Sequence, residues 1–111
     1  MTRAEVVASL RQLSASLSPI AHSTEWHLFG SVDRDEPDSK DIDLMIFCTS
    51  DAQADSLRQA INPDSLALPL HLSLMTFQEA AEIDAVRVQQ STPIIRLDPP
   101  VFPAATPLTF A

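Results

Sequence analysis

The chain contains one glycine, Gly30, in 111 residues. Lacking a Cβ, glycine is the residue a backbone uses for a sharp turn or a close approach to another group. A fold with a single glycine has one place for that freedom, and chemistry is expected there. Before it, Glu25 to Phe29 reads as a short strand. After it, residues 31–40 read as a polar loop, and Asp41 to Phe47 is the clearest strand in the chain. There Ile42, Leu44 and Ile46 fall on one face, with Asp41, Asp43, Met45 and Phe47 on the other.

The remaining elements follow from periodicity and capping signals. Val6, Leu10, Leu13 and Leu17 recur at helical spacing, so Thr2 to Leu17 reads as a helix, opened by the capping box Thr2-x-x-Glu5. A second box, Ser50-x-x-Gln53, opens a helix to Ile61 with Ala54, Leu57 and Ile61 on one stripe. Asn62-Pro63-Asp64 is turn chemistry. Leu68 to Met75 reads as a third strand, with Leu70, Leu72 and Leu74 on one face and His71, Ser73 and Met75 on the other. A third box, Thr76-x-x-Glu79, starts a helix to Gln90, and Ile94 to Leu97 reads as a short last strand. From Asp98 onward, Pro99, Pro100, Pro103 and Pro107 exclude helix and central strand. Residues 98–111 are expected to be an extended or disordered tail, whose Phe102 and Phe110 give it an apolar character. The order predicts an α/β (α+β) domain over residues 1–97, a small mixed sheet with helices packed on one face. The opposite face is left carrying Asp41, Asp43, His71 and Ser73.

Charge narrows the partners. A net charge of −8 argues against binding a nucleic-acid backbone or an anionic membrane surface, both of which need a Lys/Arg footprint. It permits a metal site, because clustered carboxylates are tolerated when a cation neutralises them. The single Cys48 excludes an internal disulfide and reads as a buried thiol. No N-terminal stretch has the form of a signal peptide, and nothing approaches membrane-spanning length, so a cytoplasmic setting is expected. A domain this short buries a modest share of its surface, which makes a partner or self-association natural.

Asp41 and Asp43 sit two apart on one strand, so their carboxylates share a face, roughly 7 Å apart at Cα. Such a pair repels unless something cationic lies between. Mg²⁺ prefers carboxylate oxygens and completes its shell from water and substrate phosphates. Gly30-Ser31, at the end of the neighbouring strand, supplies backbone N–H groups and a hydroxyl for phosphate oxygens. Lys40, the only lysine, directly precedes the pair, where it meets a triphosphate or offsets its acidic neighbours Asp33, Asp35, Glu36 and Asp38. His22 and His27 read as structural or solvent-facing, and Trp26 as a packing residue.

The run Phe29-Gly30-Ser31, followed by Asp38-Ser39-Lys40-Asp41-Ile42-Asp43-Leu44, resembles the minimal nucleotidyltransferases of the DNA polymerase beta-like superfamily. The resemblance spans roughly residues 1–97 and implies a nucleotidyltransferase fold. It implies metal ligation (Mg²⁺ or Mn²⁺) by Asp41 and Asp43, and nucleotide contact by Gly30, Ser31, Ser39 and Lys40. The implied reaction moves a nucleoside monophosphate from a triphosphate, ATP in the first instance, to an acceptor hydroxyl. The implied acceptor or partner is a small helical, toxin-like protein or a second copy of the chain.

One departure matters. Catalysing members carry a third carboxylate on the next long strand, where this chain offers His71 and Ser73. Either His71 substitutes as base or as a ligand favouring Mn²⁺, or Glu79 reaches in, or the site is catalytically degenerate and the chain is an antitoxin-like binding module.

Overall fold

The computed structural model describes residues 2–97; the tail expected over 98–111 lies outside the described residues. The elements are α1 (Arg3–Ser16), β1 (Glu25–Phe29), α2 (Gly30–Asp33), β2 (Ile42–Cys48), α3 (Asp51–Ala60), β3 (Leu70–Thr76), α4 (Phe77–Glu82), α5 (Ala85–Gln89) and β4 (Thr92–Ile95). This is a mixed α/β domain on one four-stranded sheet of order β3-β2-β1-β4. β1 runs antiparallel to β2 and to β4, while β2 and β3 are parallel. The parallel pair needs a crossover, and α3 provides it.

Alternation on β2 assigns the layers. Ile42, Leu44, Ile46 and Cys48 face the main core, where they meet Trp26 and Leu28 of β1. Val6, Val7 and Leu10 of α1 and Ala54 and Leu57 of α3 close over them. Met45 and Phe47 point the other way and pack with Ala80 and Ala85 under α4 and α5. The face expected to be uncovered is therefore covered at its far end and open where Asp41, Asp43, His71 and Ser73 stand. Among the described residues no helix is long and apolar enough to cross a membrane.

The capping signals hold with one change. The Thr2/Glu5 and Thr76/Glu79 boxes are both closed. Ser50 caps α3 through the Gln53 N–H, but the Gln53 side chain accepts from the Thr49 N–H at 2.8 Å and donates to the Ile20 and His22 carbonyls. It ties the loop before β1 to α3 instead of returning to the cap.

β2 and β3 shift by one or two residues, so that Asp41, expected to open β2, lies just before it, and three larger differences follow. The stretch read as polar loop begins with the single turn α2. The helix expected to run to Gln90 breaks after Glu82, where Asp84 adopts the left-handed region at φ 55°. The last strand is Thr92–Ile95, earlier than expected, because its register is set by pairing Thr92, Pro93 and Ile95 with β1.

Candidate metal centre

The sheet assembles the centre through register. Phe29 pairs with Asp43 across the antiparallel ladder, and Asp43 pairs with His71 across the parallel one. Asp41 lies two residues before Asp43 on the same face. One oxygen from each aspartate and one ring nitrogen of His71 lie within 4.8 Å of one another, so this group could hold a metal ion. His71 Nδ1 is 3.4 Å from Asp43 Oδ1 and 3.6 Å from Asp41 Oδ2. These spacings are within ion-pair range, and the three donors are close enough together to share an ion.

Electrostatics point the same way. Burial, then the neighbouring Asp41 charge, push the Asp43 carboxyl above its usual range; His71 and Arg34 act in the opposite direction. A partly buried carboxylate beside a second one is a poor arrangement for an apo surface and a good one for a cation.

Gly30 meets this carboxylate directly. Its φ is +77°, and a Cβ there would lie 2.2 Å from Asp43 Oδ2. The one glycine therefore lies where the backbone passes closest to Asp43. Ser31 follows in α2, half-buried, with its carbonyl accepting from the Glu36 N–H at 3.0 Å. Ser39 donates its hydroxyl to the Glu36 carbonyl at 3.0 Å, a contact that shapes the loop. Lys40 is exposed and takes part in none of the ion pairs among the described residues.

The acidic loop divides into two groups. Asp33 takes Arg3 at 3.1 Å and the Thr92 hydroxyl at 2.8 Å, joining α1, α2 and β4. Asp35 accepts from the Arg3 N–H, and Glu36 pairs with Arg34. Those carboxylates are structural; Asp41 and Asp43 are the ones that converge. Glu79 does not join them. It closes the cap at Thr76, at the opposite end of β3 from His71, about 16 Å along the strand.

No family model, no curated protein and no solved structure matches the chain.

A second polar group went unrecognised in the sequence. Glu25 and His27, two apart on β1, are both buried on the Phe47 side of the sheet. His27 Nε2 is 3.3 Å from Glu25 Oε2, its Nδ1 is 3.2 Å from Ser91 Oγ, and its ring lies 4.7 Å from that of Phe47. Burial pushes the imidazole below its ordinary value, opposed by Glu25. Of the two roles expected for His27, the structural one holds. The available signal was the Glu25-x-His27 alternation, which places both on one face. Trp26 is core, its Nε1–H donating to Thr24 Oγ1 at 3.0 Å, and does not offer a stacking surface.

A cleft of about 560 Å³ opens at the carboxyl ends of β2 and β3, beside Cys48, Thr49, Phe77 and Glu82. It is at the other end of the strands from the aspartates. Burial raises the Cys48 thiol to about 11, so it is not a nucleophile there.

Proposed function

We propose that the chain is a minimal nucleotidyltransferase of the DNA polymerase beta-like superfamily, acting on a nucleoside triphosphate, ATP in the first instance. The observation that carries this reading is the contact between the only glycine and Asp43, with Asp41 and His71 beside it. Two carboxylates fit a divalent ion, Mg²⁺ or Mn²⁺, and the imidazole stands beside them. Such an ion, held by Asp41 and Asp43, would supply charge neutralisation of the triphosphate.

The chain's own residues then have defined tasks. Asp41 and Asp43 hold the ion. The backbone N–H groups of the Gly30-Ser31 turn and the Ser31 hydroxyl receive the β and γ phosphates, and Lys40 offers a point charge to them. Ser39 supports the loop that carries Lys40. An acceptor hydroxyl attacks the α phosphorus and yields its proton to solvent on the open face, the P–O bond to the β phosphate breaks, and pyrophosphate leaves. The centre lies on an open face, so the acceptor is brought by a partner: a small helical protein or a second copy of the chain.

A second reading is a degenerate, antitoxin-like binding module. It is favoured by β3, whose open-face positions next to the aspartates are His71 and Ser73 where a third carboxylate would serve catalysis. Titration calorimetry with ATP and Mn²⁺, on the native chain and on Asp41→Ala/Asp43→Ala, tests the nucleotide site. Incubation with α-labelled ATP and candidate acceptors tests transfer. The enzyme reading expects metal-dependent binding, lost in the double variant, and label on an acceptor. Absence of metal-dependent nucleotide binding removes that reading; binding without label favours the module.

A further inference from the structure

We infer that the centre is built for one first-row transition ion held jointly by Asp41, Asp43 and His71, and that it discriminates against Mg²⁺. The inference rests on the reading that the aspartates grip a cation, and goes further by choosing, of the roles open to His71, that of ligand and by naming the ion class.

Three observations carry it. First, His71 is placed by the fold. It is the residue paired with Asp43 in the parallel β2–β3 ladder, so the imidazole and the carboxylate share a face by register. Second, the spacing suits a small ion. Donors at about 2.0–2.1 Å around a tetrahedral ion stand about 3.3 Å apart. His71 Nδ1 is 3.4 Å and 3.6 Å from the nearer oxygens of Asp43 and Asp41. All three donor atoms lie within 4.8 Å of one another, and the exposed side chains of His71 and Asp41 leave the remaining positions open to water or phosphate. Third, the donor chemistry selects. Mg²⁺ takes oxygen ligands and sheds water reluctantly. A neutral imidazole nitrogen adds little for it and much for ions later in the Mn²⁺, Co²⁺, Zn²⁺ order. The nitrogen between the carboxylates is Nδ1, so the atom best placed to act as a base on a substrate is the one engaged by the metal.

The test uses the metals alone on the full chain. Calorimetry with Zn²⁺, Co²⁺, Mn²⁺ and Mg²⁺, and the visible spectrum of the Co²⁺ form, are compared for the native chain, His71→Ala, His71→Asp and Asp41→Ala/Asp43→Ala. Because His71 is exposed, its variants are expected to fold, which far-ultraviolet circular dichroism checks. The native chain is expected to bind Zn²⁺ and Co²⁺ more tightly than Mn²⁺, and Mn²⁺ about tenfold or more tighter than Mg²⁺. His71→Ala is expected to weaken the transition ions about tenfold or more while moving Mg²⁺ little. His71→Asp is expected to narrow the Mn²⁺ to Mg²⁺ ratio. Equal affinity of the native chain for Mn²⁺ and Mg²⁺, or transition-ion binding unmoved by His71→Ala but lost in the aspartate double variant, overturns the inference and leaves the cation reading intact. No binding of any ion by the native chain overturns both.

Discussion

Gly30 is required by more than its backbone angle. Four other described residues, Ser23, Asp35, Asp84 and Gln90, hold positive φ without being glycine, so this chain tolerates side chains in left-handed turns. What separates Gly30 is the neighbour: a Cβ would meet Asp43 Oδ2 at 2.2 Å and Asp43 Cβ at 3.3 Å. Two explanations of the glycine therefore predict different outcomes. If φ alone mattered, Gly30→Asn would be accepted, because asparagine visits that region readily. The close approach predicts that Gly30→Asn and Gly30→Ala both lose stability and both displace the Asp43 carboxylate, with metal affinity falling as in Asp43→Ala. It also predicts coupling. In an Asp43→Ala background the worst contact is gone, so the added cost of Gly30→Ala shrinks by an amount on the order of 0.5–3 kcal/mol. A double-mutant cycle from urea denaturation measures it; an additive cycle would show that the contact is not what holds the glycine in place.

At the level of elements, the same economy of glycine explains what was readable and what was not. β1, β2 and the first helix were legible because alternation and capping are local signals, and both closed capping boxes sit where their residues indicate. Asp41 and Asp43 were legible for the same reason: period two puts them on one face. Their meeting with His71 depended on strand order and parallel register, which no local pattern carries. The break between α4 and α5 was invisible because Asp84 makes a left-handed turn that a glycine would have announced, as Gln90 does at the end of α5. The Glu25–His27–Ser91 chain was missed because Ser91 lies 64 residues from His27 and joins it only once β4 pairs with β1. Gln90 provides a test of this account. It is exposed, caps α5 at φ 52°, and donates its N–H to the Arg87 carbonyl. Glycine is the preferred residue at such a helix end. Gln90→Gly is expected to stabilise the chain by roughly 0.5–1 kcal/mol, the left-handed cost relieved less the added chain entropy, read as a higher urea midpoint at unchanged slope. A lower midpoint would mean that the turn is held by something other than its backbone geometry.

Over the whole molecule, the net charge of −8 and the converging aspartates make cation binding and stability one problem. The Asp43 carboxyl is raised by burial and by Asp41, so its folded value exceeds its unfolded one. The metal-free fold is favoured by this group below the ordinary carboxylate range and loses that contribution as pH rises through the raised value. At neutral pH Asp43 has lost that contribution, and a cation bound beside it would offset the repulsion from Asp41. An ion at a hundredfold excess over its Kd adds about 2.7 kcal/mol to stability. For a domain near this size that is a rise in melting temperature of roughly 10–20 °C. Diffuse screening of the negative surface also stabilises, but NaCl at matched ionic strength does that equally well and is blind to which carboxylates are present. The expected pattern is specific: a large rise with Mn²⁺ and a small one with NaCl for the native chain, against small and equal rises for Asp41→Ala/Asp43→Ala. The metal-free double variant is expected to melt at or above the metal-free native chain, because two neighbouring like charges, one of them partly buried, have been removed. Thermal melts followed by circular dichroism decide it; equal rises with Mn²⁺ and NaCl in the native chain would reduce the aspartate pair to ordinary surface charge.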